Sequence, residues 1–367
     1  MKKWTAAVLA AALMLSACGT APAESTPSAS SKEESTVSVS SETTTSTDGV
    51  ITDMAGREID LTGVEISKVY CTDPVAAITL YTLAPEMLLG WNYAFNDYEV
   101  SYILPEYRDL PIYGMGDEVN LEAIVADAPE ACIQMGPITD SNMEKADTLS
   151  EQLGIPVIMV DGSLSATPEA YTFLGEVLGQ EEAAASLADY AAGLLEKAAA
   201  NQPETVPTVY YGNGSDSLET APEGSPSAEV FQLLGADNVA KIELDGGSRV
   251  QITAEQLLSW DPQYIFVNGQ PKENLTGPAA ARAMLEDPTY SSLQAVASGQ
   301  IYGVPKSPFA WVDRPTGPNR LAGIAWVGSI LYPEVYGESM EDTIRSFYEL
   351  FYHMELTDEQ MTQLLEE

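Results

Sequence analysis

The sequence predicts an α/β protein with two lobes, each built around a mainly parallel β-sheet, joined by a long helical connector. The first observation is that short apolar or β-branched runs alternate with helical patterns over residues 50–367, which is typical of βαβ units. The second is length, because a chain of this size usually divides its apolar residues between two cores. The third is a long Ala-rich, helix-favouring stretch near the middle, Thr167–Asn201.

The N-terminus has the features of a bacterial export signal. Lys2 and Lys3 are followed by an apolar run, Trp4–Leu15, that is too short to span a bilayer as a helix. The run ends in the letters LSAC, which resemble a lipobox whose Cys becomes lipid-modified. We therefore expect residues 1–17 to be a lipoprotein signal peptide and Cys18 to carry a lipid anchor. The protein would then be extracytoplasmic and anchored to the cell membrane; the alternative is an ordinary secretory signal.

Residues 18–49 are rich in Ser, Thr, Ala, Pro and Glu and contain almost no apolar anchors. Such a composition cannot bury enough apolar surface to offset the entropy lost on ordering. The sequence therefore predicts a disordered tether between the membrane and the folded part of the chain.

The folded part is predicted to consist of an N-terminal lobe over residues 50–165, a connector helix over 166–202 and a C-terminal lobe over 203–367. Gly179 is a candidate break in the connector, and an ordinary surface helix within one domain is the alternative. Each lobe has three predicted strands, at 67–72, 130–135 and 155–161 in the first and at 207–213, 263–269 and 300–305 in the second. Buried helices over 320–332 and 339–354 are expected to close the second lobe.

The charge balance limits the partners. The chain has 55 acidic and 16 basic residues, a formal net charge of −39, which argues against nucleic acid and against electrostatic docking on anionic lipid. An anionic ligand would therefore need a local cluster of the rare Arg and Lys side chains.

Cysteine and histidine usage narrows the chemistry. Cys71 and Cys132 each lie in an apolar run, so either two buried thiols or a single disulfide bond is open. The single histidine, His353, argues against a His-rich zinc or manganese site, and we expect no protein-bound metal. No nucleophile elbow, HExxH, Walker loop or dinucleotide fingerprint is present, so we expect no enzymatic activity.

A short pattern occurs once in each lobe. NLEAIVADAPE at 120–130 and TAEQLLSWDPQ at 253–263 both place a Glu near a predicted helix start, followed by an apolar pair, Asp, Pro and a strand. Asn120 and Thr253 are candidate N-caps, and Glu122 and Glu255 then lie where the helix dipole favours an acid. Helix capping and a paired surface role are both open at this point.

Together these segments resemble the substrate-binding lipoproteins of bacterial ABC importers of the iron-siderophore, haem and cobalamin type. The residues that carry the resemblance are the LSAC motif, ITDMAGREIDL at 51–61, the repeated pattern, the connector and the segment 301–334. The last segment is similar to the iron-complex branch, which also includes molybdate and tungstate binders.

The resemblance implies two Rossmann-like lobes joined by one long connector helix, with the ligand held in the cleft between them. It also implies that Glu122 and Glu255 meet the membrane permease, which works with an ATPase. We expect a monomer without a cofactor that captures a metal chelate, with a ferric siderophore or related iron complex as the leading ligand. Molybdate or tungstate, cobalamin or haem, and a surface lipoprotein with a sensory, adhesive or enzymatic role are the alternatives.

Candidate ligand-binding residues lie at predicted strand ends and in the loop FAWVDRPTGPNR at 309–320. Arg314 offers a planar fork of donors to an anionic ligand, and Trp311 a flat face for a chelate. A salt bridge from Arg314 to Asp313 is the alternative, and Arg320 is expected to pair with an acid. The full candidate set is Asp73, Trp91, Met115, Met135, Tyr211, Asn213, Lys306, Trp311 and Arg314.

Overall fold

The computed structural model describes residues 49–201, 203–244, 247–270 and 275–366. The predicted signal peptide, the tether and Cys18 lie outside the described residues. Within these ranges the α/β class predicted from the sequence is confirmed. None of the described helices combines the length and the apolar composition that a membrane-spanning segment needs.

The first lobe contains a short antiparallel hairpin and a parallel sheet of three strands in the order β3-β4-β5. All three strand runs predicted for this lobe are confirmed as strands. The strands are β1 (Val50–Thr52), β2 (Glu58–Asp60), β3 (Val69–Cys71), β4 (Ala131–Gly136) and β5 (Val157–Asp161), and the helices are α1 (Pro74–Leu83), α2 (Asp97–Ser101), α3 (Leu121–Asp127) and α4 (Asp140–Leu153).

The two cysteines of this sheet are free thiols that cannot pair. Cys71 lies opposite Ile133 in the β3–β4 register, whereas Cys132 lies opposite Tyr70. Adjacent residues of a strand point to opposite faces, so the two thiols lie on opposite faces of the sheet. Both are buried, and burial raises the pKa of each thiol well above its ordinary value.

The connector differs from the expected single long helix. It consists of α5 (Thr167–Leu178) and α6 (Glu181–Ala200), separated by Gly179 in the left-handed conformation with φ of +69°. A Cβ placed on Gly175 would lie 2.3 Å from the Cβ of Ala184, so the two helices pack closely against each other. The break arises because a left-handed glycine ends the first helix with a C-cap.

The second lobe is built on a mixed sheet. Its parallel strands are continued on one edge by short antiparallel strands, in the order β11-β10-β6-β7-β9, and β8 pairs with β6. The strands are β6 (Thr208–Asn213), β7 (Glu219–Thr220), β8 (Asp237–Asn238), β9 (Val250–Gln251), β10 (Tyr264–Val267) and β11 (Ile301–Gly303). The helices are α7 (Glu229–Leu233), α8 (Ala254–Trp260), α9 (Gly277–Glu286), α10 (Gln294–Ser298), α11 (Arg320–Leu331), α12 (Pro333–Tyr336), α13 (Met340–Tyr352) and α14 (Asp358–Glu366).

Helices α11 and α13 close the second lobe, as predicted. Helix α11 is buried over most of its surface, and α13 reaches the first lobe through aromatic rings. The ring centroids of Tyr352 and Tyr81 lie 6.2 Å apart, and those of Tyr348 and Tyr102 lie 5.7 Å apart. His353 ends α13 in the left-handed conformation, with its Nε2 3.3 Å from the carbonyl oxygen of Tyr81. Aromatic packing therefore joins α13 to the first lobe.

Candidate functional site

The repeated sequence pattern corresponds to a repeated structure. Asn120 caps α3 by accepting a hydrogen bond from the backbone N–H of Ala123, and Thr253 caps α8 by accepting one from Gln256. The N-cap predictions are thus confirmed. Glu122 and Glu255 occupy the first turns of these helices, and both are exposed to solvent. A first-turn Glu can satisfy the helix dipole and remain available to another molecule.

A cluster of buried polar side chains lies at the carboxyl ends of the second-lobe strands. Asn213 ends β6, Asn268 follows β10, and Asp313 lies in the loop 304–319 that precedes α11. The Nδ2 of Asn268 donates to Asp313 Oδ1 at 3.1 Å and to Asn213 Oδ1 at 3.2 Å. The hydroxyl of Tyr211 donates to Asp313 Oδ1 at 2.6 Å. The carboxylate of Asp313 therefore ties this loop to two strands of the sheet.

Arg249 completes this cluster, and the sequence reasoning missed it. Its Nη2 donates to Asp313 Oδ2 in a close ion pair, and the Arg249 side chain is only 17% exposed. Burial opposes the positive charge, but the attraction of Asp313, Tyr211 and Glu219 outweighs it and raises the pKa of the guanidinium. The only indication in the sequence was that Arg and Lys are rare in this chain, and composition alone does not show where the Arg249 side chain lies in the fold.

Arg314 lies beside Arg249, but its partner is not Asp313. The Nη2 of Arg314 is 3.7 Å from Glu219 Oε2, and the Nη1 of Arg249 is 4.0 Å from the same oxygen. Asp313 instead pairs with Arg249, which removes the predicted alternative of an Asp313–Arg314 salt bridge. The Nε atoms of both arginines are buried and have no hydrogen-bond acceptor among the described residues. Guanidinium groups bind anionic oxygens through charge-assisted hydrogen bonds, so this arginine pair is a candidate site for an anionic oxygen.

Trp311 does not offer a ring face to a ligand. It is fully buried, its Nε1 donates to the hydroxyl of Tyr348 at 3.2 Å, and its ring packs edge-on against Trp326. The sequence showed an aromatic beside an arginine, but only the path of the loop decides which side chain points inward. Trp311 therefore belongs to the core, whereas Arg314 is 29% exposed. Lys306 lies in the same loop and is partly exposed.

The predicted first-lobe residues divide into core and surface positions. Asp73 is partly buried and caps α1, and it accepts hydrogen bonds from Thr72, Ala76 and Met135. Burial raises the pKa of Asp73, against the lowering effect of those bonds. Trp91 is buried and donates its Nε1–H to the carbonyl oxygen of Tyr107 at 2.7 Å.

Of the two predicted methionines, Met135 is buried at the end of β4, and Met115 is exposed. The loop 304–319 also meets the first lobe, through an aromatic contact that the sequence reasoning missed. The ring centroids of Phe309 and Phe95 lie 6.1 Å apart, and Phe95 is partly exposed. The arginine-bearing loop therefore faces the first lobe.

A buried ion pair links the lobes next to this loop. Arg320, at the start of α11, donates to Glu229 Oε2 at 2.7 Å, which confirms that it pairs with an acid. Arg320 also donates to the carbonyl oxygen of Gly162, while Glu229 accepts from the backbone N–H groups of Leu164 and Ser165. Because residues 162–165 follow β5 of the first lobe, this pair contributes to the contact between the two lobes.

Other parts of the described structure are less suited to a ligand. A surface hollow of about 350 Å³ lies beside β2 and α4, but the guanidinium of Arg57 in it already donates to Asp53, Asp147 and the carbonyl oxygen of Val157. The described residues contain no cluster of three or more His, Cys, Asp or Glu side chains placed to hold a metal ion.

Comparisons with known proteins point to one class. The periplasmic binding protein family model matches residues 151–308. The fold is similar to an ABC transporter solute-binding protein from Sulfurospirillum deleyianum, with a TM-score of 0.77 and 28% identity, covering 87% of this chain and 100% of that one. It is also similar to a periplasmic solute-binding protein from Veillonella parvula, with a TM-score of 0.68, 22% identity, and 86% and 96% of the two chains covered. A third similar structure is molybdate-bound MolA from Haemophilus influenzae, with a TM-score of 0.62, 17% identity, and 84% and 99% covered. No curated protein sequence matches the chain.

Proposed function

We propose that this chain captures an anionic metal chelate outside the cytoplasm. The proposal is supported by its resemblance to the solute-binding proteins of ABC transporters, in the family match and in the fold. The leading ligand is a ferric siderophore or related iron complex, and an oxyanion such as molybdate is the alternative. The bound ligand is delivered to a membrane permease driven by an ATPase. Lipid anchoring through Cys18 and a monomeric state are parts of this proposal.

The observation that carries the proposal is the pair of guanidinium groups at the strand ends of the second lobe. In a chain with a net charge of −39, two arginines lie within 4.0 Å of one carboxylate oxygen, and their buried Nε donors have no acceptor in the part of the chain that the structure describes. Guanidinium groups bind carboxylate, catecholate and oxyanion oxygens through parallel, charge-assisted hydrogen bonds. The partly exposed Phe95 adds an apolar surface on the opposite lobe.

Ligand binding can be tested on the chain purified without its predicted signal peptide. We expect at least one of the ferric catecholate and hydroxamate chelates, haem, cobalamin, molybdate and tungstate to raise the melting temperature. Arg314→Met should then weaken binding roughly 10–150-fold, the effect of about 1.5–3 kcal/mol for hydrogen bonds to a charged group. Arg282→Met, which removes an exposed arginine of α9, is the matched control and should leave the affinity unchanged. No thermal shift with any compound would remove the support for this function.

Delivery to a permease can be tested separately from binding. We propose that Glu122 and Glu255 are the contact points, one on each lobe, because both are exposed at the starts of equivalent helices. The double variant Glu122→Ala/Glu255→Ala should lose uptake in cells while the purified protein keeps its ligand affinity. The control is Glu181→Ala/Glu182→Ala, which removes two exposed first-turn acids of α6. Unimpaired uptake by the Glu122/Glu255 variant would contradict the docking role.

A further inference from the structure

The arginine pair is already balanced by acids of its own chain. Asp313 and Glu219 together match the two positive charges of Arg249 and Arg314. An anionic ligand added to this arrangement would bring negative charge into a site that holds no excess positive charge. One of the two acids must therefore give way for the arginines to act on a ligand.

The two acids differ in how firmly they are held. Asp313 is buried and accepts hydrogen bonds from Tyr211, Asn268 and Arg249, so removing it would break a connected network. The Glu219 side chain is 40% exposed, and its Oε2 stays 3.7 Å and 4.0 Å from the nearest guanidinium nitrogens. These distances exceed those of a good hydrogen bond. Glu219 is therefore the acid that a ligand can replace.

The backbone beneath Glu219 is fixed while its side chain has room to move. Glu219 pairs with Asn213 of β6 on one side and with Gln251 of β9 on the other, so the Cα of Glu219 cannot shift easily. Gly214 lies beside it with φ of +79°, and a Cβ there would be 3.6 Å from the Glu219 Cβ. A glycine at this point leaves the space next to the carboxylate clear.

We propose that Glu219 is a displaceable internal counter-ion that occupies the place of a ligand oxygen between Arg249 and Arg314. This inference rests on the proposed function and refines its substrate class. A ligand must present at least two anionic oxygens, as oxyanions and catecholate chelates do, in order to replace the carboxylate and engage both guanidinium groups. A neutral compound or a simple monoanion gains too little to displace Glu219, so the residue sets specificity as well as affinity.

The test is the near-isosteric change Glu219→Gln, which removes the charge but keeps the shape. Molybdate is the probe, titrated by calorimetry and by thermal shift. We expect Glu219→Gln to bind molybdate at least about tenfold more tightly than the unmodified chain, because the arginines lose their competing anion. It should also gain measurable binding of chloride and acetate. Glu223→Gln, which removes an exposed acid paired with Lys241 in the same lobe, is the matched control and should change nothing.

A further variant tests whether the increase in molybdate affinity depends on the arginines. Adding Arg314→Met to Glu219→Gln should abolish the increase in molybdate affinity. Molybdate binding by Glu219→Gln that is equal to or weaker than that of the unmodified chain would overturn the inference, and so would a gain that persists without Arg314.

The outcomes separate the inference from the proposed function. A gain in molybdate binding by Glu219→Gln, with no chelate bound by the unmodified chain, would support the counter-ion and refute the proposed ligand class. Chelate binding that depends on Arg314 but is not tightened by Glu219→Gln would support the proposed function and refute the counter-ion. The absence of anion binding in both proteins would refute both.

Discussion

The ion pair between Arg320 and Glu229 offers the sharpest test of how the lobes are held together. Arg320→Met removes the guanidinium but keeps a long apolar side chain in its place. In the intact protein Arg320 donates to the carbonyl oxygens of Gly317, Pro226 and Gly162 and to the Glu229 carboxylate. The change leaves Glu229 in a largely buried position, with the backbone N–H groups of Leu164 and Ser165 and the Ser165 hydroxyl as its remaining donors.

The expected loss of stability follows from the burial of the Arg320 side chain. Arg320 is 1% exposed, and breaking a buried ion pair by removing one partner typically costs about 3–5 kcal/mol, since the other charge is left without compensation. An unfolding entropy of about 2.1 cal/mol/K per residue, over roughly 320 folded residues, gives about 0.7 kcal/mol/K at the midpoint. We therefore expect Arg320→Met to lower the melting temperature by about 4–7 °C.

Differential scanning calorimetry measures this shift, and two further variants interpret it. Arg320→Met/Glu229→Gln should recover part of the loss, because it removes the uncompensated charge as well. Lys241→Met, which breaks ion pairs at the surface, should change the melting temperature by less than about 1 °C. A loss below about 1 °C for Arg320→Met, or a double variant no more stable than the single one, would refute the buried-charge explanation.

Two further predictions concern packing and thiols. Gly193→Ala should stabilise the protein by about 0.5–1 kcal/mol, because nothing lies within 4 Å of the added Cβ in α6. Gly323→Ala should destabilise it by at least about 1–3 kcal/mol, because the added Cβ would lie 1.9 Å from the carbonyl oxygen of Trp311. Chemical denaturation measures both changes in the free energy of unfolding, and equal effects would contradict the packing described. Cys71 and Cys132 should react with a thiol reagent only after unfolding, because the two thiols are buried on opposite faces of one sheet. For the same reason a reductant should leave the melting temperature unchanged. A drop in melting temperature on adding reductant would indicate a disulfide bond.

Features with local causes could be predicted from the sequence. The caps at Asn120 and Thr253 depend on a side chain and a backbone N–H three residues away, so a short pattern contains all the information needed. The central strands follow from apolar runs, since a strand buried on both faces has no polar positions. Gly179 was a candidate break for the same reason, although the close packing of α5 on α6 could not be read from it.

The candidate site was predicted only in part, because its contacts join distant segments. Tyr211 and Asp313 lie 102 positions apart, and Arg249 and Asp313 lie 64 apart. Arg314 was identified from its residue type and its loop, but nothing nearby in the sequence indicates that Glu219 would be its partner. Trp311 shows the same limit, because an aromatic residue in a loop can face either the core or a ligand.

The sequence by itself determined the α/β class, most of the strands, the paired capped helices and the resemblance to solute-binding proteins of importers. Hydrophobic periodicity, capping and glycine conformation act over a few residues, and the sequence records them directly. Only the tertiary structure decided that Arg249 joins Arg314, that Glu219 lies between them, that Trp311 is core and that the two cysteines point apart. These outcomes depend on strand order, register and the path of one loop, because a charged side chain takes its partner from whatever the fold brings within a few ångströms.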